Sequence, residues 1–342
     1  MIAEKSNLVK IFQAVKPGLD NKGIIEQFTH FIFTGNEVMT YNDEICISHP
    51  LVTDFQCSVS AVELYKTLTG IKGEASVTME LENDELKLKT ARTEAGLSTK
   101  TKKHAEEMIE LLQLNDLNDK WKPLPPGFTR GLFLCMFSAS KDMTSGVATC
   151  VRIIGDKLLS SDEVRISKFT LKESTEMETL IPASSVKELI NFDSINKYHL
   201  TDRWIHFQDD KGVIFSSRIM EGEYPEIEQY FDLEGTETVM PGSLKEEIES
   251  IIFMTEGKQD YDKKITVSVK GKEVKLQARK DIGWIKKIVE VEKDQGSFDF
   301  VINPVFFSQI LEKSTTMTIG ENAAKFVNED FCHVLALPAN RE

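Results

Sequence analysis

The sequence predicts an α+β protein of three similar domains, each with two helices packed on antiparallel sheets. Three observations predict it. First, residues 59–68, 181–190 and 302–311 share one pattern, and their first residues lie about 120 positions apart. Second, the text between them reads as short alternating strands with tight turns. Third, 342 residues divide into three units of ordinary domain size. Units of this size are domains rather than solenoid repeats. The expected boundaries are 1–118, 122–232 and 240–342.

The elements follow in chain order. Leu8, Ile11, Phe12 and Val15 form the apolar face of a first helix. Residues 59–68 run from strand to helix, with Ser60 suited to the N-cap and Leu64 and Leu68 on one face. Residues 114–127 are polar and then proline-rich, a linker that interrupts both helix and strand. The stretch from Phe128 to Phe137 takes the place of the first helix in unit two, but it is apolar all round and so ambiguous. Residues 181–190 repeat the strand-to-helix entry, with Val186 and Ile190 inward. Residues 204–215 form a hairpin, and 217–226 read as an edge strand entering a Gly turn stopped by Pro225. Residues 232–242 form a second linker. Leu244, Ile248, Ile251 and Ile252 face inward from the first helix of unit three. Residues 267–276 form a hairpin around Gly271. In the third copy Asn303 suits the N-cap and Pro304 the first turn, with Phe307 and Leu311 inward. Sheet-dominated units in series leave two open terminal edges, which another copy of the chain would close.

Composition narrows the function classes. The chain is 41% hydrophobic and 28% charged, with no apolar run of membrane-spanning length. Its start lacks the layout of a signal peptide, so a cytoplasmic location is expected. Cys46, Cys57, Cys135, Cys150 and Cys332 form no C-x-x-C pair and read as buried, reduced thiols. His30, His49, His104, His199, His206 and His333 have no partners at metal-ligand spacing. His206 reads as a strand histidine, and Cys332 and His333 point to opposite faces of a strand. The acidic pairs Glu106-Glu107 and Asp209-Asp210 read as solvated. Phosphate loops, dinucleotide loops and nucleophile elbows do not occur. The expectation is no enzyme, no metal and no cofactor. The net charge of −14 argues weakly against nucleic acid, because it does not locate the charges.

The sharpest motif is Ser217-Arg218-Ile219-Met220-Glu221-Gly222-Glu223-Tyr224-Pro225. Together with the triplication and the Ile181-Pro182-Ala183 entry, it resembles the bacterial β-type DNA sliding clamps, the processivity subunits of replicative polymerases. That family ends its middle domain with Ser or Thr, Arg, two aliphatics, an acid, Gly, any residue, an aromatic and Pro. The resemblance covers residues 7–338 and is strongest over 180–226. Its unevenness fits a divergent or phage-encoded member. It implies two chains closed head to tail into a ring, sheets outside and helices lining the hole. The partners it implies are double-stranded DNA held without sequence preference, a replicative polymerase, a clamp loader and a second copy of the chain, with no membrane.

The resemblance also implies sites. Lys22, Lys141, Thr144 and Ser145 match DNA-contact positions, although the family's aromatics are missing there. Lys100, Lys102 and Lys103 read as a solvated basic run. The predicted helices carry Lys10, Lys16, Lys66, Arg130, Lys187, Lys245 and Lys313 against a similar number of glutamates. That balance fits ordinary solvated faces as well as a basic lumen. A partner-peptide cleft between units two and three is implied at Val147, Arg165, Ile166, Leu335, Leu337 and Pro338. Glu163 and Val164 replace the family's Gly-His there, and Ala339 and Asn340 depart at the C-terminus. Phe253 and Met254, at the end of the first unit-three helix, match the dimer contact. A clamp-fold interaction protein that has lost DNA encirclement is the alternative.

Overall fold

One order of elements is used three times. The computed structural model describes residues 1–20, 25–100, 120–192 and 194–338, with Glu107, Glu110, Leu112 and Leu117. Lys22, Lys102, Lys103, His104, Glu106, Ala339 and Asn340 lie outside the described residues. The first repeat is β1 (Ile2–Glu4), α1 (Lys5–Val15), β2 (His30–Phe33), β3 (Glu37–Tyr41), β4 (Ile45–Pro50), β5 (Cys57–Ser60), α2 (Ala61–Gly70), β6 (Ser76–Glu82), β7 (Glu85–Lys89) and β8 (Glu94–Lys100). The second is β9 (Lys122–Pro123), α3 (Phe128–Met136), β10 (Cys150–Ile154), β11 (Lys157–Ser161), β12 (Arg165–Thr170), β13 (Glu178–Pro182), α4 (Ala183–Leu189), β14 (Ile195–Leu200), β15 (Trp204–Asp209) and β16 (Ile214–Arg218). The third is β17 (Thr236–Val239), α5 (Leu244–Glu249), β18 (Ile265–Lys270), β19 (Glu273–Lys280), β20 (Gly283–Glu290), β21 (Ser297–Ile302), α6 (Pro304–Leu311), β22 (Thr316–Ile319), β23 (Ala323–Asn328) and β24 (Phe331–Ala336). The class is α+β with antiparallel sheets, as predicted.

By contacts the chain parts into two compact units, Met1–Pro125 with Ser184–Met220, and Pro126–Ala183 with Glu221–Glu342. The first unit carries a twelve-stranded sheet ordered β1-β6-β7-β8-β5-β2-β3-β4-β16-β15-β14-β9. Leu8, Ile11, Phe12 and Val15 of α1 are buried, and the Phe12 ring stacks on Phe31 at 4.8 Å. Leu64 and Leu68 of α2 are buried too.

The second unit carries an eight-stranded sheet, β13-β10-β11-β12-β24-β23-β22-β17, and a four-stranded one, β20-β19-β18-β21. Asn303 caps α6 as expected, its Oδ1 accepting from the backbone N–H of Val305 at 2.9 Å and Phe306 at 3.2 Å. Gly271 turns the β18–β19 hairpin with φ +59°, a left-handed conformation that suits glycine.

One rule joins the repeats within each sheet. The third strand after a repeat's first helix pairs with the last strand of the following repeat. Thus β4 pairs with β16, and β12 with β24. The equivalent strand of the third repeat is β20. Among the described residues it pairs on one side only, with β19.

Several expectations need correction. Ser217 and Arg218 are not on an edge, because β16 is held between β4 and β15. The second linker contains β17, which pairs with β22, and the first contains β9, which pairs with β14. Proline and glycine flank these short strands without preventing them. Ser60 stands at the start of α2, but its hydroxyl binds the Glu63 carboxylate instead of capping the backbone. Helix α4 stops at Leu189, so Ile190 lies outside it and is half-buried. Helix α5 stops at Glu249, and Phe253 and Met254 lie in a separate 3-10 turn, Ile252–Met254. Asp209 is not solvated: it is buried, and its Oδ1 accepts from Lys211 N and Val213 N to close the hairpin turn.

Candidate functional site

The candidate cleft residues all fall in the second unit. Strands β12 and β24 run antiparallel, with Arg165 opposite Leu335 and Ile166 opposite Val334. The turn entering β12 is shaped by Asp162, whose Oδ1 accepts from Val164 N at 3.0 Å and Arg165 N at 2.9 Å. Arg165 is only 5% exposed. Its Nε donates to Asp162 Oδ2 at 2.8 Å and its Nη1 to Gln309 Oε1 at 3.1 Å. The guanidinium lies 4.0 Å from the Phe306 ring centre and 5.5 Å from that of Phe137. Such a planar fork, with two nitrogens engaged and its charge against two rings, positions its neighbours and is no free cation.

At the end of β24 the chain is pinned on both sides. Ala336 N donates to Val164 O at 2.8 Å, and Leu337 N to Asn322 O at 2.8 Å. Leu335 is buried, whereas Leu337 and Pro338 are half-buried. Val147 is half-buried on the 3-10 segment Met143–Thr149, which packs on β10 and β11. A Cβ at Gly222 would come within 2.7 Å of Val147 Cγ1, so the glycine permits this approach. Strands β12 and β24 also share a buried polar cluster. Ser167 Oγ lies 2.9 Å from His333 Nδ1 and 2.7 Å from Ser138 Oγ. Burial holds the His333 imidazole well below its ordinary pKa.

The candidate DNA residues differ in freedom. Lys141, Thr144 and Ser145 are exposed in the loop before β10. Thr144 donates to the Asp142 carboxylate through its backbone at 2.9 Å and its hydroxyl at 2.8 Å, which holds that carboxyl below its usual range. Ser145 accepts from Ser140 Oγ at 3.1 Å. Lys141 makes no ion pair among the described residues. Lys100, read as solvated, pairs with Glu26 at 3.1 Å and stays exposed.

The helix cations are partly neutralised. Arg130 meets Glu329 at 3.4 Å, and Lys245 meets Glu312 and Glu249. Lys313 sits over Phe133 and Phe137, 5.0 Å from each ring centre, and burial lowers its pKa. Lys10, Lys66 and Lys187 make no ion pair among the described residues.

The exposed face of β20 carries two large apolar side chains among the charged Lys286 and Glu290. Trp284 and Ile288 point outward beside exposed Ile282 and Phe253. Met254 reaches the start of this strand, its Cε 3.8 Å from a Cβ built at Gly283. The sequence reading singled out Phe253 and Met254 and did not single out the other three. The alternation Trp284, Lys286, Ile288 was the available signal. Phe306 and Gln309 were missed as well, because they lie beside the α6 face marked by Phe307 and Leu311.

Among the described residues no three His, Cys, Asp or Glu side chains converge as a metal site would require. Among them no helix is long and apolar enough to cross a membrane. The cysteines are free; four are buried and Cys332 is half-buried. Burial pushes the Cys57 thiol up to about 12, and Cys46 and Cys135 rise further. Such thiols are inert as nucleophiles.

No protein-family model matches the chain, and no curated protein matches it in sequence. Solved structures do match in fold. The DNA polymerase III subunit beta of Pseudomonas aeruginosa aligns with TM-score 0.81 at 15% identity, over 99% of each chain. The beta subunit from DNA polymerase of Streptococcus pyogenes gives 0.83 at 15%, over 98% of this chain and 99% of that one. The DNA polymerase sliding clamp of Bacillus subtilis gives 0.83 at 15%, over 99% of each. The chain therefore has the three-domain fold of these proteins from end to end.

Proposed function

We propose that this chain is a DNA sliding clamp, a processivity factor that encircles duplex DNA and tethers a replicative polymerase. The observation that carries this reading is the end-to-end match to sliding-clamp structures, with no large part of either chain left over. We assign its domains to residues 1–118, 122–232 and 240–342. On this reading it is cytoplasmic, catalyses nothing and holds no cofactor, and ATP hydrolysis for loading belongs to a separate loader.

Closure of a ring follows from the pairing rule. Among the described residues strand β20 lacks the partner that β4 and β12 have in β16 and β24. The strand equivalent to β16 and β24 in the first repeat is β8, which pairs with β7 over Glu94–Ser98 and meets β5 only at Thr99 and Lys100, so most of its second side has no pairing among the described residues. Pairing β20 of one chain with β8 of a second, in both directions, gives a closed head-to-tail dimer with no such edge left open. Phe253, Met254, Trp284 and Ile288 would be covered there. DNA is then held topologically, with Lys22, Lys141, Thr144 and Ser145 making weak phosphate contacts that carry no sequence information. Polymerase and loader would compete for the slot at Val147, Arg165, Ile166, Leu335, Leu337 and Pro338 by inserting a short apolar peptide.

Loading onto nicked circular DNA, followed by linearisation, tests encirclement. A ring persists on the circle and slides off within seconds to minutes once ends exist. Equal retention on both favours the second reading, a clamp-fold interaction protein without DNA work. The ion pairs that occupy Arg130 and Lys245 are the observation on its side.

A further inference from the structure

We propose, resting on the reading of the slot as a peptide site, that its occupant carries Lys or Arg beside its apolar anchors. Three turns next to residues of the proposed slot each present an exposed carboxylate. Glu163 precedes Val164, whose carbonyl holds Ala336. Glu321 precedes Asn322, whose carbonyl holds Leu337. Glu221 and Glu223 flank Gly222, which packs against Val147. Among the described residues none of the four makes an ion pair. The guanidiniums near them are already engaged, Arg165 by Asp162 and Arg152 by Glu226. On the loop leading to Val147, Lys141 offers a single free positive charge, and Asp142 follows it.

The side chains next to these carboxylates are apolar. Val164 is 36% exposed, and Val147 and Leu337 are half-buried. An extended peptide that fills such a slot must run its flanks past the acidic turns. Cationic flanks gain from that field, and acidic flanks are repelled by it. Rim charges are solvated and screened, so the effect selects among peptides without supplying most of the affinity. Selection of this kind works chiefly through rejection of the wrong partner.

The test uses the full chain and three synthetic peptides that share one Leu-Phe core. Their flanks carry Lys, Gln or Glu, and binding is read by fluorescence anisotropy. Expected is the order Lys, Gln, Glu, with about tenfold between the extremes at roughly 0.05 M salt and convergence near 0.5 M. Replacing Glu163, Glu221, Glu223 and Glu321 together by Gln should remove the preference and leave the Gln-flanked peptide bound as before. Equal binding of all three, or tighter binding of the Glu-flanked peptide, overturns the charge preference and leaves the slot standing. Binding by none of them at either salt overturns the slot reading instead. The variant Leu337→Asp guards against attraction to the acidic surface at large. If it abolishes Gln-peptide binding but leaves the Lys peptide bound, the attraction lies outside the slot and the proposal fails.

Discussion

The guanidinium of Arg165 lies 4.0 Å from the centre of the Phe306 ring, with Asp162 and Gln309 holding its nitrogens. This one side chain ties β12 of the second repeat to α6 of the third within a single compact unit. It therefore fixes a wall of the proposed slot instead of offering it a charge. Arg165→Ala removes a buried cation and leaves Asp162, itself mostly buried, without its partner. The expected loss is about 3 kcal/mol of stability. Lys in its place should recover little, because an ammonium cannot stack on Phe306 and serve two acceptors in one plane. Urea denaturation of both variants measures this; a loss under about 1 kcal/mol would mean the contact is incidental.

Much of the fold was legible because repetition doubles as evidence. The faces Leu8-Ile11-Phe12-Val15 and Phe307-Leu311 are buried as their spacing required. Strands β9 and β17 were not legible, since each is too short to show alternation and each sits among prolines or glycines. The engaged state of Arg165 was hidden for another reason. Its partners Phe306 and Gln309 lie about 140 positions away, and only pairing of β12 with β24 brings α6 near it. Likewise Trp284 was not singled out, and its exposure shows only in the folded strand, where it stands on the outward face of β20.

Two buried histidines should make the protein acid-sensitive. Burial lowers the His206 pKa from 6.5 to about 3, and burial lowers His333 as well. A histidine whose folded pKa is depressed binds its proton only in the unfolded chain, so stability is full above the unfolded pKa and falls as pH drops below about 6.5. Each histidine contributes a slope of about 1.4 kcal/mol per pH unit. His206→Gln should lower the slope between pH 6 and 5 by about that amount. Denaturant melts at the two pH values give the slopes, and an unchanged slope would refute the assignment.

The β20 edge predicts the oligomer. Trp284→Glu with Ile288→Glu should turn the proposed dimer into monomers, and so should Phe253→Asp with Met254→Asp. These side chains other than Met254 are largely exposed in the single chain, so its own stability should change by only about 0.5 kcal/mol. Sedimentation at micromolar concentration reads the mass. A wild-type monomer there, or a dimer that survives both pairs, would place the interface elsewhere.

Lys141 should contribute one phosphate contact. Lys141→Ala should flatten the slope of log binding constant against log salt on linear duplex by about 1, equally for any sequence. Lys245→Ala should change that slope much less, because Glu312 and Glu249 already hold its charge and raise its pKa. A larger effect at Lys245 than at Lys141 would mean that the ion pairs open on DNA.

Removing the chain from Leu337 onward should separate partner binding from assembly. Leu337 contributes one backbone hydrogen bond, to Asn322, and a half-buried side chain, whereas β24 ends before it at Ala336. The sheet pairing with β12 therefore survives, and with it the buried Leu335 and the Ser138-Ser167-His333 cluster. The stability cost should stay near 1 kcal/mol, the worth of a single hydrogen bond and a partly buried leucine. The slot loses one wall, so polymerase stimulation on primed circular DNA should disappear. Sedimentation should still report the dimer, because β20 and Phe253 are untouched. If the truncated chain still stimulates the polymerase, the peptide site lies away from Leu337, and the changes at Glu163 and Val164 would mark a slot that this chain has abandoned.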